Sequence, residues 1–313
     1  MTGPDAPAAL RATGLGFRYR TRGAPPLRDC GFTVPAGHIT ALVGRNGAGK
    51  STLLHLAGGL LRPRTGEIRV LGDLPGSPRA RARVALLTQD KPLYPRFTVA
   101  DTLRMGAKLN PAWDQQAAAR IVEEGDIAPD ARVGELSPGL RTRVALALAL
   151  GKRPELLLLD EPLADLDPVA RGDLMATLMA EAAEHGTSIV LSSHVLPELE
   201  QTCDWVLLLR DGRIALSEDA DALRDSHVVV TGHLDQADSL NGPPGPEGAA
   251  RRHTVVHRRV SGRQLTALVR RRGPLRGEWH VEPAKLEDIL VGHLQAEATA
   301  GPTTAGARAE AAA

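Results

Sequence analysis

Short apolar runs recur along the chain, separated by polar stretches of helical period. Ile39-Thr40-Ala41-Leu42-Val43, Val84-Ala85-Leu86-Leu87, Leu156-Leu157-Leu158-Leu159 and Ser188-Ile189-Val190-Leu191 are continuous rather than alternating. That pattern predicts strands buried on both faces of a parallel sheet. Each run ends in residues capable of chemistry: a glycine-rich loop after Val43, Thr88-Gln89, Asp160-Glu161, and Ser192-Ser193-His194. In open α/β sheets, ligands sit beyond the carboxyl ends of the strands. Val206 to Leu209, Asp211-Gly212 and Ile214-Ala215-Leu216 predict a hairpin that closes the sheet. From Val99 to Glu135 the pattern is helical, broken at Pro111 and Pro129, which predicts an inserted helical lobe over residues 95–145.

Past Leu223 the character changes. His227 to Thr231 and His253 to Val260 predict strands, joined by the loop Asn241-Gly242-Pro243-Pro244-Gly245-Pro246. Ser261 to Arg272 predicts a helix, and Leu286 to Leu294 a last amphipathic one. The expected organisation is a main α/β domain over residues 8–223 and a small α/β appendage over 224–295. The Ala/Gly/Thr-rich stretch 296–313 is expected to be a disordered tail.

Composition narrows the class. A net charge of +1 over 313 residues gives no whole-molecule argument for nucleic acid or anionic membrane. Cys30 and Cys203 match no metal spacing and read as thiols of a reducing compartment. No apolar run approaches the roughly 20 residues that span a bilayer, and the start of the chain lacks a signal-peptide core. The expectation is a soluble, cytoplasmic protein.

The loop Gly44-Arg45-Asn46-Gly47-Ala48-Gly49-Lys50-Ser51-Thr52 fits G-x-x-x-x-G-K-[S/T], a backbone cradle for a phosphate chain. Its glycines let the backbone close on the anion, some of them at positive φ. The helix that follows aims its positive end at the same place. Lys50 supplies a point charge for the β- and γ-phosphates, and the Ser51 hydroxyl suits Mg²⁺. Of 38 basic residues only Lys50, Lys91, Lys108, Lys152 and Lys285 are lysine, so an ammonium at this position is a choice against the bias. Asp160, where a buried strand emerges, is a second Mg²⁺ candidate, and Glu161 can polarise a water. His194 alone reads equally well as a core-edge histidine.

In order, these pieces resemble the ATP-binding cassette ATPases, the nucleotide-binding subunits of ABC transporters, over roughly Leu10 to Leu223. The resemblance extends to Gln89 (Q-loop), Leu136-Ser137-Pro138-Gly139-Leu140 (signature), Leu163-Ala164-Asp165-Leu166-Asp167 (D-loop) and His194 (switch histidine). Tyr19 matches the aromatic that stacks on adenine, with Phe17 as a substitute. The segment Pro111-Ala112-Trp113-Asp114 looks more like bacterial subunits of the antibiotic- and peptide-export type. The implied fold is a P-loop NTPase of mainly parallel core sheet, with an antiparallel β part and the helical lobe. The implied ligands are ATP and Mg²⁺. Lys50 and the N–H groups of Arg45, Asn46, Gly47, Ala48, Gly49 and Ser51 would hold the β- and γ-phosphates, and Thr52 would reach the α-phosphate. Ser51, Asp160 and Gln89 would organise the metal. Glu161 would be the general base, and His194 would hold the γ-phosphate. Ser137, Gly139 and Asp167 would serve a nucleotide shared with a second subunit.

The signature departs from the family's L-S-G-G-Q. Pro138 falls at the first helical position, where it is tolerated, and Gly139 is retained. Leu140 replaces the glutamine that would complete an S-x-x-Q capping box. Because Ser137 serves a neighbour's nucleotide and the chain carries one cassette, the resemblance implies dimerisation with itself or with a homologue. It further implies separate membrane-spanning permease subunits, a peripheral place on the inner face of the cell membrane, and an export role. The competing readings are a soluble cassette ATPase on ribosomes or DNA, and a regulatory ATP-binding module. Arg251, Arg252, Arg258, Arg259, Arg263, Arg270, Arg271, Arg272 and Arg276 make the appendage basic. That basic surface reads as a solvated face, an anionic-lipid contact or, with few aromatics to stack bases, least well as a nucleic-acid site. No nucleic-acid partner is expected, and Trp279 reads as a core anchor.

Overall fold

The computed structural model describes residues 7–20, 24–241, 253–275 and 277–296. In chain order it runs β1 (Ala8–Phe17), β2 (Leu27–Pro35), β3 (Ile39–Val43), α1 (Lys50–Ala57), β4 (Thr65–Val70), α2 (Pro78–Arg83) and β5 (Val84–Leu87). Then come α3 (Val99–Leu109), α4 (Gln115–Glu124), α5 (Pro138–Gly151), β6 (Leu156–Asp160), α6 (Pro168–His185), β7 (Ser188–Ser192) and α7 (Leu196–Leu199). After these follow β8 (Trp205–Arg210), β9 (Arg213–Asp219), α8 (Ala220–Ser226), β10 (His227–His233), β11 (Thr254–Ser261), β12 (Gln264–Arg270), β13 (His280–Pro283) and α9 (Leu286–Gln295). Two units form. One runs to Asp225 and takes in Lys285–Leu290; the other takes Ser226–Ala284 and the rest of the described chain.

The first unit holds a six-stranded sheet in the order β5-β6-β7-β3-β8-β9. Its first five strands are parallel and β9 pairs antiparallel through the Asp211-Gly212 turn. Both turn residues have positive φ, 51° and 73°, as a two-residue hairpin with right-handed strand twist requires. A second sheet, β2-β1-β4, is antiparallel. Helix α1 shares one buried cluster with both: Leu53, Leu54 and Leu56 pack with Leu10, Leu15 and Ile68 and with Leu156, Leu158 and Leu207. Because β3 and β6 to β8 lie inside the sheet, their continuous apolar sequences have a face to fill on either side. The carboxyl ends of β3, β6 and β7 therefore meet at one edge of a rigid platform.

The helical lobe is α3, α4 and α5. Thr98 and Asp101 form a reciprocal capping box at α3. Trp113 is the wedge of the lobe: a Cβ at Gly106 or Gly151 would sit 2.7 Å from its ring. Its neighbour Asp114 caps α4 through Ala117 N–H and accepts Arg153 Nε and Nη2 at 3.0 and 2.7 Å. Arg153 also reaches Glu181 Oε2 in α6 at 3.3 Å, pinning lobe to core.

In the second unit the order is β11-β12-β10-β13, all antiparallel. Here the helix expected over Ser261 to Arg272 is a strand, β12. Leu265, Ala267 and Val269 alternate onto a buried face with Val228, Val230 and Leu240, which is period two rather than 3.6. Gly262, at φ +59°, opens a two-residue turn into β12 and is the hairpin signal that the helical reading overlooked. Local propensity yielded to strand pairing on both edges. Trp279 lies over Gly232 and donates Nε1–H to Ser239 Oγ at 3.0 Å, an anchor as expected. Of the expected loop only Asn241 is described; Gly242 to Pro246, Arg251, Arg252, Arg276 and the tail from residue 297 lie outside the described residues.

Candidate active site

The glycine loop leaves β3 and enters α1 with Gly47 at φ +79° and Gly49 at φ +109°. Gly49 has a second reason to be glycine: a Cβ there would meet the Pro26 carbonyl at 2.5 Å. Gly44 is glycine for space rather than for φ, since a Cβ would sit 2.6 Å from the Leu209 carbonyl. Tyr19, Pro26, Asn46, Gly47, Gly49, Lys50, Ser51, Thr52, Gln89, Glu161, Ala164 and His194 line one cavity of about 450 Å³. Residues that follow four parallel strands, β3, β5, β6 and β7, thus face one space.

Lys50 is 7% exposed. Its ammonium donates to the Gly44 carbonyl at 3.0 Å and stands 3.3 Å from Glu161 Oε1. Glu161 Oε2 is 2.7 Å from His194 Nδ1. Glu161 has φ +49°, and its N–H donates to Ser192 Oγ at 2.8 Å. The Ser192 hydroxyl in turn donates to Asp160 Oδ1 at 2.8 Å. One serine therefore holds both residues of the acidic pair, Asp160 by its side chain and Glu161 by its backbone. Tyr19 places its hydroxyl 3.1 Å from Thr52 Oγ1 with Phe17 edge-on at 4.9 Å, a brace that leaves Tyr19 46% exposed at the rim.

Arg45 and Ala48 sit in the loop without lining the cavity, and Asp160 is buried just behind it, 1% exposed. Ser137, Gly139 and Asp167 also lie away from it. Ser137 caps α5 by accepting Leu140 N–H at 3.3 Å, the half of the box that does not need a glutamine. Gly139 packs beside Leu166, 3.2 Å from where a Cβ would stand. Asp167 caps α6 by accepting the N–H groups of Ala170 and Val169. Those bonds, Ala170's first, hold its carboxyl below the usual range. Pro26 escaped the sequence reading, and Ala164 and Ser192 entered it only as members of the D-loop and of a polar strand end, with no role of their own.

Among the described residues no three His, Cys, Asp or Glu side chains gather as a metal cluster. The oxygens offered to a metal are the Ser51 hydroxyl, the Gln89 amide and the Asp160 carboxylate just behind the cavity, while the Glu161 carboxylate is taken up by Lys50 and His194. That hard, sparse set fits Mg²⁺, which keeps waters and takes phosphate oxygens rather than an all-protein cage. The cavity floor of backbone N–H groups, a buried ammonium and a helix N-terminus fits a phosphate chain. No helix among the described residues is long and apolar enough to cross a membrane.

The sequence profile of the family described as ABC transporter matches residues 27–164. The chain is 35% identical over 246 residues to the molybdenum import ATP-binding protein ModC of Mycobacterium tuberculosis, covering 73% of this chain and 67% of that one. It is 33% identical over 279 residues to the Nod factor export ATP-binding protein I of Burkholderia lata, covering 83% and 89%. It is 36% identical over 260 residues to the aliphatic sulfonates import ATP-binding protein SsuB 2 of Pseudomonas fluorescens, covering 79% and 95%. Among solved structures it is similar to an ATP-binding subunit of an ABC transporter (TM-score 0.62, 28% identity, 69% of this chain and 92% of that one). It is also similar to cbiO1 from Clostridium perfringens, part of the ABC transporter complex cbiONQ (TM-score 0.58, 28% identity, 68% and 88%). A cavity built on a phosphate-binding loop, with relatives 33–36% identical of which this chain covers 67–95%, leaves one assignment: the chain belongs to the ATP-binding cassette family, as an ATP-binding and ATP-hydrolysing subunit of an ABC transporter.

Proposed function

We propose that ATP binds with its β- and γ-phosphates on Lys50 and the N–H groups of Arg45 to Ser51, its adenine against Tyr19, and Thr52 near the α-phosphate. Ser51, Gln89 and Asp160 hold Mg²⁺, which neutralises charge on the phosphate oxygens. Glu161 orients and deprotonates the attacking water, and His194 steadies Glu161 and meets the γ-phosphate. The carrying observation is the Lys50–Glu161–His194 chain inside the glycine-loop cavity. Phosphoryl transfer needs positioning and charge neutralisation more than covalent chemistry, and these residues are already convergent.

Ser137, Gly139 and Asp167 stand apart from this cavity, which supports their serving the nucleotide of a second subunit. The working unit is then a pair of cassettes, this chain with itself or with a homologue, joined to separate membrane permeases and held at the membrane by them. The lobe of α3 to α5 is the coupling surface. The division of the chain after Asp225 supports a cassette over 8–223 followed by an accessory domain within 224–295, of which Lys285–Leu290 group with the first unit.

For direction the proposal is export, supported by the relative that covers 83% of this chain, an export ATP-binding protein. Import is the second reading, favoured by the ModC and SsuB 2 relatives. The test is ATP turnover with and without a co-purifying polytopic protein, followed by cargo movement in vesicles with ATP outside. Stimulated turnover with cargo entering the vesicle lumen is expected. Unstimulated turnover with every membrane partner points to the soluble ATPase, and cargo leaving the lumen points to import.

A further inference from the structure

Lys91 and Asp165 belong to two loops that the catalytic proposal uses only through their neighbours. Lys91 lies two residues after Gln89, and Asp165 four residues after Glu161 and two before Asp167. Lys91 Nζ is 2.6 Å from Asp165 Oδ2, with the lysine side chain 8% exposed and the aspartate 48%. Both ends are held by tight backbone. Lys91 has φ +43°; its N–H donates to the Thr88 carbonyl and its carbonyl accepts Leu93 N–H. Around Asp165, Ala164 N–H donates to the Glu161 carbonyl and Leu166 N–H to the Leu163 carbonyl. The start of α5 packs on the same turn, since the Cβ position of Gly139 is 3.9 Å from the Asp165 carbonyl. A single close contact to one oxygen suits an ammonium better than a guanidinium fork. That explains a lysine here in an arginine-biased chain.

We propose that the Lys91–Asp165 pair is a positioning tie for hydrolysis, setting the Gln89 loop and the Glu161–Asp167 loop at one mutual distance. The inference rests on the ATPase reading of the cavity, which Gln89 and Glu161 both line. Two groups that must meet one water lose rate steeply when their separation drifts. The tie touches neither nucleotide nor metal, so its loss falls on kcat and spares ATP binding.

The test uses the full chain, comparing wild type with Lys91→Ala, Asp165→Asn and the double variant. Three quantities are measured: binding of a fluorescent ATP analogue, kcat and KM for ATP, and backbone hydrogen exchange in residues 89–94 and 163–167 without nucleotide. Each single variant is expected to lower kcat about tenfold or more, with analogue binding unchanged and with both segments exchanging faster together. The double variant should be no worse than either single one, the signature of one shared interaction. Additive losses, a kcat at or above the wild-type value, or exchange that rises only in the mutated loop would overturn the tie. A wild-type chain that binds ATP without hydrolysing it would sink the ATPase reading instead. The exchange arm alone then decides whether the two loops are joined.

Discussion

The Lys50 ammonium and the Glu161 carboxylate face each other at 3.3 Å, both nearly out of reach of solvent. Glu161 balances, from within the cavity, the charge that the glycine loop and Lys50 gather for a phosphate. The same carboxylate is the proposed base. Glu161→Gln keeps the shape and removes the charge. Turnover should fall on the order of 10²–10⁴-fold, while ATP binding holds or tightens because Lys50 no longer has a competing anion. Titration with a fluorescent nucleotide beside a phosphate-release assay reads both, and unchanged turnover would remove Glu161 from the mechanism.

Two glycines of the loop should behave differently. Gly47→Ala meets no atom within 4 Å, so only its positive φ opposes it, at roughly 1–2 kcal/mol. Gly49→Ala adds a contact of 2.5 Å with the Pro26 carbonyl. Nucleotide affinity should survive the first change and collapse in the second; equal affinities would mean that the Pro26 strand-start can move aside.

Leu140→Gln would supply the reciprocal half of a capping box whose first half, Ser137 to the Leu140 N–H, is already made. Helix α5 should gain about 0.5–1 kcal/mol, read as a higher unfolding midpoint. If Ser137 serves a partner's nucleotide, turnover should rise with it. A gain in stability without any gain in rate would confine the effect to the cap.

Trp113 wedges between Gly106 and Gly151, each 2.7 Å from its ring at the Cβ position. Gly151→Ala should destabilise by roughly 1–3 kcal/mol through overpacking. Pairing it with Trp113→Leu should recover part of that loss, because the new methyl strikes the ring at 2.7 Å and also the Ala118 Cβ at 2.9 Å. Urea unfolding of the four variants closes the cycle; strict additivity would mean that the lobe yields elsewhere.

Acid should loosen the same lobe. The Ala117 N–H first, and then the Arg153 guanidinium, hold the Asp114 carboxyl below its ordinary range. A carboxyl lowered in the folded state binds its proton more readily when unfolded. Its contribution is therefore complete above about pH 3.9, the unfolded value, and is lost as pH falls through the lowered folded value. Stability measured between pH 6 and 2 should drop more steeply for the wild type than for Asp114→Asn. Parallel curves would assign the acid limb to other carboxylates.

Much of this could be seen in the letters. Glycine spacing, a lysine against an arginine background and four unbroken apolar runs are local, and local rules govern them: only glycine fits φ +109° beside a carbonyl, and only strands covered on both faces read as continuous leucine. The polar residues closing those runs had to share an edge once the strands were parallel, which is why Gln89, Glu161 and His194 could be named together. Strand β12 was misread because Leu265, Leu268 and Val269 also fit a helical spacing, and the pairing that decides between the two periods comes from β10 and β11.

What needed three dimensions was every relation between distant segments. Ser192 bonding both Asp160 and Glu161, Pro26 standing over Gly49, Arg153 spanning Asp114 and Glu181, and Lys91 meeting Asp165 all join residues at least 28 apart, except the closest of them, Pro26 and Gly49. No sequence period encodes such pairs. They exist because a close-packed interior lets each polar group choose among the few partners that folding brings within hydrogen-bond reach. The sequence alone determined which chemistry the chain could attempt; the tertiary structure decided which groups stand close enough to do it.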